Sequence, residues 1–85
     1  MLHLIATPDQ MAQLLAASRR QAGLTQAEAA ARIGVSQSRI SALETDAGAL
    51  TLAQLLALCG IYGLQLQLRD KNQPVPEPAP LVVEW

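Results

Sequence analysis

Aromatic residues and cysteine are scarce in this chain of 85 residues. Tyr62 and Trp85 are the only aromatic side chains, and phenylalanine is absent. A stacking platform for single-stranded nucleic acid needs several exposed aromatic side chains, so the composition excludes that class of protein. Cys59 is the only cysteine, which excludes an intramolecular disulfide and a cysteine-based zinc site. Because leucine and isoleucine surround Cys59, we expect it to be a small buried hydrophobic residue.

Signals for catalysis and for membranes are also missing. His3 is the only histidine, and the sequence has no Cys–His pair, no carboxylate constellation and no phosphate-binding loop, which predicts a non-enzyme without cofactor or metal. There is no apolar run of about 18 residues and no basic signal start, so we expect a cytoplasmic protein without membrane contact.

The charge balance permits DNA binding without arguing for it. The net charge is −1, but all six basic residues and five of the seven acidic residues lie in residues 1–73. The difference, six minus five, leaves this part with a charge of +1. A basic footprint would have been the stronger sign of a nucleic-acid partner.

Helix start and stop signals divide most of the chain into four segments. Capping boxes, in which threonine is followed three residues later by glutamate or glutamine, begin at Thr7, Thr25 and Thr51. Ser36 offers a further N-cap, and Gly34 can end a helix because glycine adopts the left-handed conformation at little cost. The predicted helices span residues 8–22, 26–33, 37–46, and from 52 to between 60 and 63.

The second and third predicted helices form a helix-turn-helix, since a turn of three or four residues joins them. The small side chains of Ala29 and Ala30 permit a close helix approach. Val35, Ile40 and Leu43 are placed to pack beneath the pair. This combination predicts DNA binding.

The third helix of this pattern is the predicted recognition helix, which lies in the major groove in helix-turn-helix proteins. Because Ile40 and Leu43 face the core, its polar residues face outward, and a glutamine such as Gln37 can pair bidentately with adenine. The predicted base contacts are Ser36, Gln37, Ser38 and Ser41. The predicted phosphate contacts are Gln26, Arg39, Arg32, Arg19 and Arg20, and the guanidinium of Arg39 also suits guanine.

Residues 64–70 change the hydrophobic period from helical to alternating. Leucine at 64, 66 and 68 alternates with polar residues, which predicts a β-strand with one apolar face. The strand can pair with residues 1–6, a short apolar segment, or with its own copy across a two-fold axis. Pairing with the copy is favoured because it forms an isologous dimer and adds core to a small domain.

The last residues form a predicted tail. Four prolines between residues 74 and 80 indicate an extended linker, so the expected division is a DNA-binding and dimerisation domain at 1–73 and a tail at 74–85. The tail ends in Trp85, and tryptophan is enriched at interface hot spots. A role in docking a partner is therefore expected.

Residues 24–43, with the helices on either side, resemble the Xre/Cro–phage repressor family, and the resemblance covers about residues 8–63. It implies a mainly α, lambda-repressor-like domain of four to five helices that dimerises and binds pseudo-palindromic double-stranded operator DNA. The following strand and the terminal Glu84-Trp85 resemble HipB-type antitoxins in particular. That resemblance implies that Leu64, Leu66 and Leu68 form a strand paired across a homodimer, and that Trp85 and Glu84 contact a HipA-type serine/threonine kinase toxin.

The sequence therefore predicts a DNA-binding antitoxin and transcriptional autorepressor of a type II toxin–antitoxin operon, acting at the nucleoid of a bacterial cell. Two alternatives remain open at this point. One is a stand-alone Xre-family repressor without a toxin, and the other is a protein-interaction module that no longer binds DNA.

Overall fold

The computed structural model describes residues 1–72, which form a bundle of four helices. The helices are α1 (Pro8–Gln21), α2 (Gln26–Ile33), α3 (Gln37–Thr45) and α4 (Leu52–Tyr62), with a short 3-10 turn at Ala47–Ala49 between α3 and α4. The predicted mainly α helix-turn-helix fold is confirmed. None of the helices in this part of the chain is both long enough and apolar enough to cross a membrane. The predicted tail, with Glu84 and Trp85, lies outside the described residues.

Reciprocal hydrogen bonds fix the starts of α1, α2 and α4. In each case the threonine hydroxyl accepts from the backbone N–H three residues on, and that residue's side chain accepts from the backbone N–H of the threonine. Ser36 caps α3 by accepting from the backbone N–H of Arg39 at 3.1 Å. The pairs of the capping boxes are Thr7 with Gln10, Thr25 with Glu28, and Thr51 with Gln54.

The helix ends differ little from the predicted ones. Gly34 adopts the left-handed conformation, with φ 74° and ψ 32°, and ends α2 as expected. α3 ends at Thr45, one residue early, because Asp46 is extended and its carboxylate accepts from the N–H of Gly48 at 2.8 Å. That hydrogen bond begins the 3-10 turn that leads the chain towards α4.

The core lies between α1, α4 and the α2–α3 pair. Leu15, Ile40, Leu43 and Leu58 are each about 1% exposed, and Ala29 is fully buried. Burying a leucine or isoleucine contributes about 1.5–3 kcal/mol, so these side chains hold the bundle together. The alanine at the α2–α3 contact allows the close approach that the sequence predicted.

Residues 64–70 leave the helical bundle with an increasingly exposed row of leucines. Leu64 is half-buried against the core, whereas Leu66 and Leu68 are 40% and 94% exposed. Within residues 1–72 of the single chain, this segment forms no β-ladder with residues 1–6 or with any other segment. A strand exists through hydrogen bonds to a neighbour, so pairing across a two-fold axis stays a prediction that needs a second chain.

Two glycine substitutions test the helix ends separately from packing. Gly34→Ala places a side chain at φ 74° with no atom within 4 Å of the added Cβ. We therefore expect it to lower the free energy of unfolding by about 1–2 kcal/mol, through backbone conformation alone. Gly60→Ala is the matched control, since it lies inside α4 with equal space and no positive φ. It should raise the free energy of unfolding by about 0.5–1 kcal/mol. Urea denaturation at one fixed chain concentration measures both, and a shift of the same sign in the two variants would contradict this account.

Candidate nucleic-acid interface

The first turns of α3 present a polar surface to solvent. Ser36, Gln37, Ser38 and Ser41 are all exposed, while Ile40 and Leu43 on the opposite side are 1% exposed and belong to the core. The structure therefore leaves all four predicted base contacts exposed at the start of α3, with Gln37 and Ser41 about one helical turn apart. The hydroxyls of Ser36 and Ser38 lie 3.0 Å apart, within hydrogen-bonding distance.

The turn before α3 fixes how this surface is presented. The backbone N–H groups of Gly34 and Val35 both donate to the carbonyl of Ala30. Val35 packs against the core cluster. The two helices of the helix-turn-helix are therefore joined by a short, hydrogen-bonded connection rather than by a loose loop.

A partly buried ion pair joins α1 to the end of α3. Arg19 donates from Nε to Glu44 Oε2 at 2.7 Å and from Nη2 to Oε1 at 3.2 Å, and its Nη1 donates to the Leu24 carbonyl at 2.8 Å. The side chains of Arg19 and Glu44 are 12% and 9% exposed. Hydrogen bonding to Glu44 raises the pKa of Arg19, so the guanidinium stays charged.

Gln26 extends this ion pair to α2. Its amide nitrogen donates to Glu44 Oε1 at 3.2 Å. One carboxylate thus receives hydrogen bonds from Arg19 on α1 and from Gln26 on α2. Glu44 was missed as a site residue in the sequence, where no pattern marks a glutamate in the last turn of α3 as the partner of both.

Four of the five predicted phosphate contacts, all except Arg39, fall into two groups by geometry. Arg20 and Arg32 are exposed in the last turns of α1 and α2, where they are accessible to DNA. Arg19 and Gln26 instead direct their polar atoms to Glu44, which favours a structural role for both. That Arg19 and Gln26 contact phosphates stays a prediction, and their hydrogen bonds to Glu44 argue against it.

Arg39 has internal partners as well. It is half-buried, and its Nη2 donates to the Ala49 carbonyl at 2.8 Å and to Gln54 Oε1 at 2.9 Å. The sequence identified Gln54 only as the capping partner of Thr51. Its second partner is 15 residues away along the chain, beyond the reach of any local pattern.

In the part of the chain that the structure describes, the remaining titratable groups form no candidate metal site. Among residues 1–72, no three histidine, cysteine or acidic side chains are grouped so that they could hold a metal ion. Cys59 is 8% exposed, as predicted for a small hydrophobic residue, and burial raises the pKa of its thiol.

Comparison with known proteins identifies the relatives of this chain. Residues 10–71 match the model of the family described as helix-turn-helix domain. The antitoxin HipB of Escherichia coli strain K12 is 33% identical over 73 residues, which cover 86% of this chain and 83% of that protein. A solved complex of a HipB variant with the O2 20mer has a TM-score of 0.74 and 32% identity, covering 85% of this chain and all of that chain. A HipA-HipB-O2-O3 complex also gives a TM-score of 0.74, with 31% identity, covering 84% of this chain and all of the matched chain.

Adjacent arginines provide a matched test of the ion pair. Arg19→Met leaves the carboxylate of Glu44 without its charged partner, and breaking a buried pair in this way costs about 3–5 kcal/mol. The residual exposure of both side chains places the expected loss at the lower end of that range. Arg20→Met, on the exposed neighbour, should change the free energy of unfolding by less than about 0.5 kcal/mol. Chemical denaturation of both variants decides, and equal effects would show that the ion pair adds nothing.

Proposed function

The chain belongs to the helix-turn-helix domain family and is a HipB-type member of it, and we propose that it is a DNA-binding antitoxin and transcriptional autorepressor of a HipBA-like type II toxin–antitoxin operon. The observation that carries this proposal is similarity to HipB in both sequence and fold over more than four-fifths of the chain. The related structures hold HipB with an O2 20mer and with HipA, which are the two kinds of partner proposed here.

DNA reading is assigned to the exposed face of α3. In this arrangement α3 enters the major groove, and Gln37 in its first turn offers an amide that can donate and accept at adenine. Arg20 and Arg32 supply phosphate contacts, which would make affinity depend strongly on salt. The base-contact set is Ser36, Gln37, Ser38 and Ser41.

A homodimer places two such faces on pseudo-palindromic double-stranded operator DNA, with the half-sites about 34 Å apart. Leu52 and Leu56 on α4, and Leu66 and Leu68 beyond it, are 40–94% exposed in the single chain. Burying apolar surface contributes about 25 cal/mol per Å² of favourable free energy. A second copy of the chain that covers these leucines would therefore be stabilised by their burial, which supports dimerisation. Strand pairing through Leu64, Leu66 and Leu68 is the proposed form of that contact.

The second partner is a HipA-type serine/threonine kinase toxin. Glu84 and Trp85, at the end of the tail, are its proposed contacts, and both lie outside the described residues. The chain acts in this proposal by binding and not by catalysis, at the nucleoid of the bacterial cytoplasm.

A glutamine pair tests the recognition face. Gln37→Ala should weaken binding to a duplex of the chain's own upstream promoter region by about 1–3 kcal/mol and leave binding to a random duplex of equal length unchanged. Gln13→Ala, which removes an exposed glutamine from α1, is the control and should match wild type. Fluorescence anisotropy at fixed salt measures both. A wild-type protein that does not prefer the promoter duplex would contradict the DNA-reading function.

Removal of the tail tests the antitoxin role. A chain ending at residue 73 and the variant Trp85→Ala should each lose about 2 kcal/mol or more of affinity for the product of the neighbouring gene, which the proposal expects to be a HipA-type kinase. Promoter binding should stay close to wild type, because the helix-turn-helix is intact. Isothermal titration and anisotropy report the two affinities. Undiminished kinase binding would show that Glu84 and Trp85 are not the contacts with the toxin. A neighbouring gene that encodes no kinase would favour the stand-alone repressor.

A further inference from the structure

Arg39 joins the first turn of α3 to the start of α4. Its Nη2 donates to the carbonyl of Ala49, the last residue of the 3-10 turn, and to Oε1 of Gln54. The same Oε1 accepts from the backbone N–H of Thr51 at 3.4 Å, as part of the capping box that begins α4. One guanidinium nitrogen therefore contacts both the end of the connection and the cap of the next helix.

These hydrogen bonds occupy the two edges of the Arg39 guanidinium that could recognise DNA bidentately. A guanidinium binds a phosphate or guanine bidentately through the Nε–Nη2 edge or the Nη1–Nη2 edge. Arg19 uses the first of these edges on Glu44 in this same chain. Both edges include Nη2, and the two hydrogens of Nη2 in Arg39 are donated to Ala49 and Gln54. Neither edge is open for a bidentate contact.

We propose that Arg39 and Gln54 act as a pair of positioning residues that hold the first turn of α3 and thereby set sequence discrimination, instead of Arg39 contacting a phosphate. Ser36, Gln37 and Ser38 immediately precede Arg39 on the same turn. Loosening that turn shifts the groups that read base edges. The charge attraction to phosphates, which carries no sequence information, stays as it was. The inference rests on the proposed DNA-binding function. Within that function it assigns to Gln54 a positioning role, which depends on the contact with Arg39 that the fold creates.

The two roles of Arg39 leave different signatures in binding data. Loss of a phosphate contact weakens binding to all sequences alike and lowers the slope of log K against log salt by about 0.9. Loss of a positioning contact lowers the ratio of promoter affinity to random-duplex affinity and leaves the slope unchanged. A residue that serves only folding would change the melting temperature but neither of these quantities in the folded protein.

The experiment uses the full chain, a duplex of its own upstream promoter region and a random-sequence duplex of equal length. Anisotropy titrations at salt concentrations from about 50 to 200 mM compare wild type with Arg39→Met, Gln54→Leu, the double variant and Gln54→Glu. Thermal melts show which variants are folded at the assay temperature. Arg39→Met leaves the α4 capping box intact, so it decides the question if Gln54→Leu fails to fold.

We expect Arg39→Met and Gln54→Leu each to lower the promoter-to-random ratio about tenfold, as for residues coupled by direct contact. The charge lost in Arg39→Met should in addition weaken both duplexes alike, with a fall in salt slope well below the value of about 0.9 for a lost phosphate contact. The promoter-to-random ratio of the double variant should be no lower than that of the single variant with the lower ratio, because both substitutions break the same contact. Gln54→Glu should keep the ratio, since its carboxylate can accept from Arg39 and glutamate suits this capping-box position. Its added negative charge should weaken both duplexes alike.

Three results overturn the inference while leaving the DNA-binding function in place. They are a fall in slope of about 0.9 for Arg39→Met with equal weakening of both duplexes, an unchanged ratio in folded Gln54→Leu, and additive losses in the double variant. A wild-type protein that binds neither duplex, or both equally, overturns the DNA-reading function and the inference with it. That outcome is visible in wild type alone and is therefore distinct from the other three.

Discussion

The carboxylate of Glu44 is the constraint on which the arrangement of the first three helices depends. It is 9% exposed and accepts from Arg19 on α1 and from Gln26 on α2. A charge so far removed from water costs several kcal/mol unless its partners are well placed. Any movement of α3 that separates these atoms would leave the carboxylate without its partners and destabilise the bundle by that amount. The position of α3 is therefore fixed more narrowly than apolar packing alone would require.

The opposite end of α3 is held by a different set of contacts. Arg39 reaches Ala49 and Gln54, while Ile40 and Leu43 are buried beneath the helix. α3 is thus tied by polar contacts near both ends and by packing along one side. Its solvent face carries few such restraints and holds small polar side chains together with Gln37. This division suits the proposed role of α3, in which the helix presents the same surface each time it meets DNA.

The apolar surface left outside the bundle is as informative as the core. Large exposed leucines lie on α4 and on the segment that follows it, in a chain too small to bury a large core by itself. In the proposed HipB-type homodimer these side chains gain a partner, and the same contact sets the distance between the two proposed recognition helices. Stability and operator spacing would then depend on one interface, which links folding of the dimer to DNA recognition.

The sequence by itself determined the helices and the exposed face of α3. Threonine capping boxes and the left-handed Gly34 act through hydrogen bonds and backbone angles within three or four residues, so they are legible in a linear pattern and place most helix ends within a residue or two. The exposure of Gln37 and Ser41 follows from the helical period in the same way.

Only the tertiary structure decided which internal partners the side chains predicted to contact phosphate have. Arg19, Gln26 and Arg39 all have the chemistry of phosphate ligands, and the sequence assigned them that role. In the fold they meet acceptors 25, 18 and 15 residues away. Which charge is matched inside the protein and which remains available to DNA depends on how the helices pack. Packing brings together residues that are distant in sequence, and no local pattern records that choice.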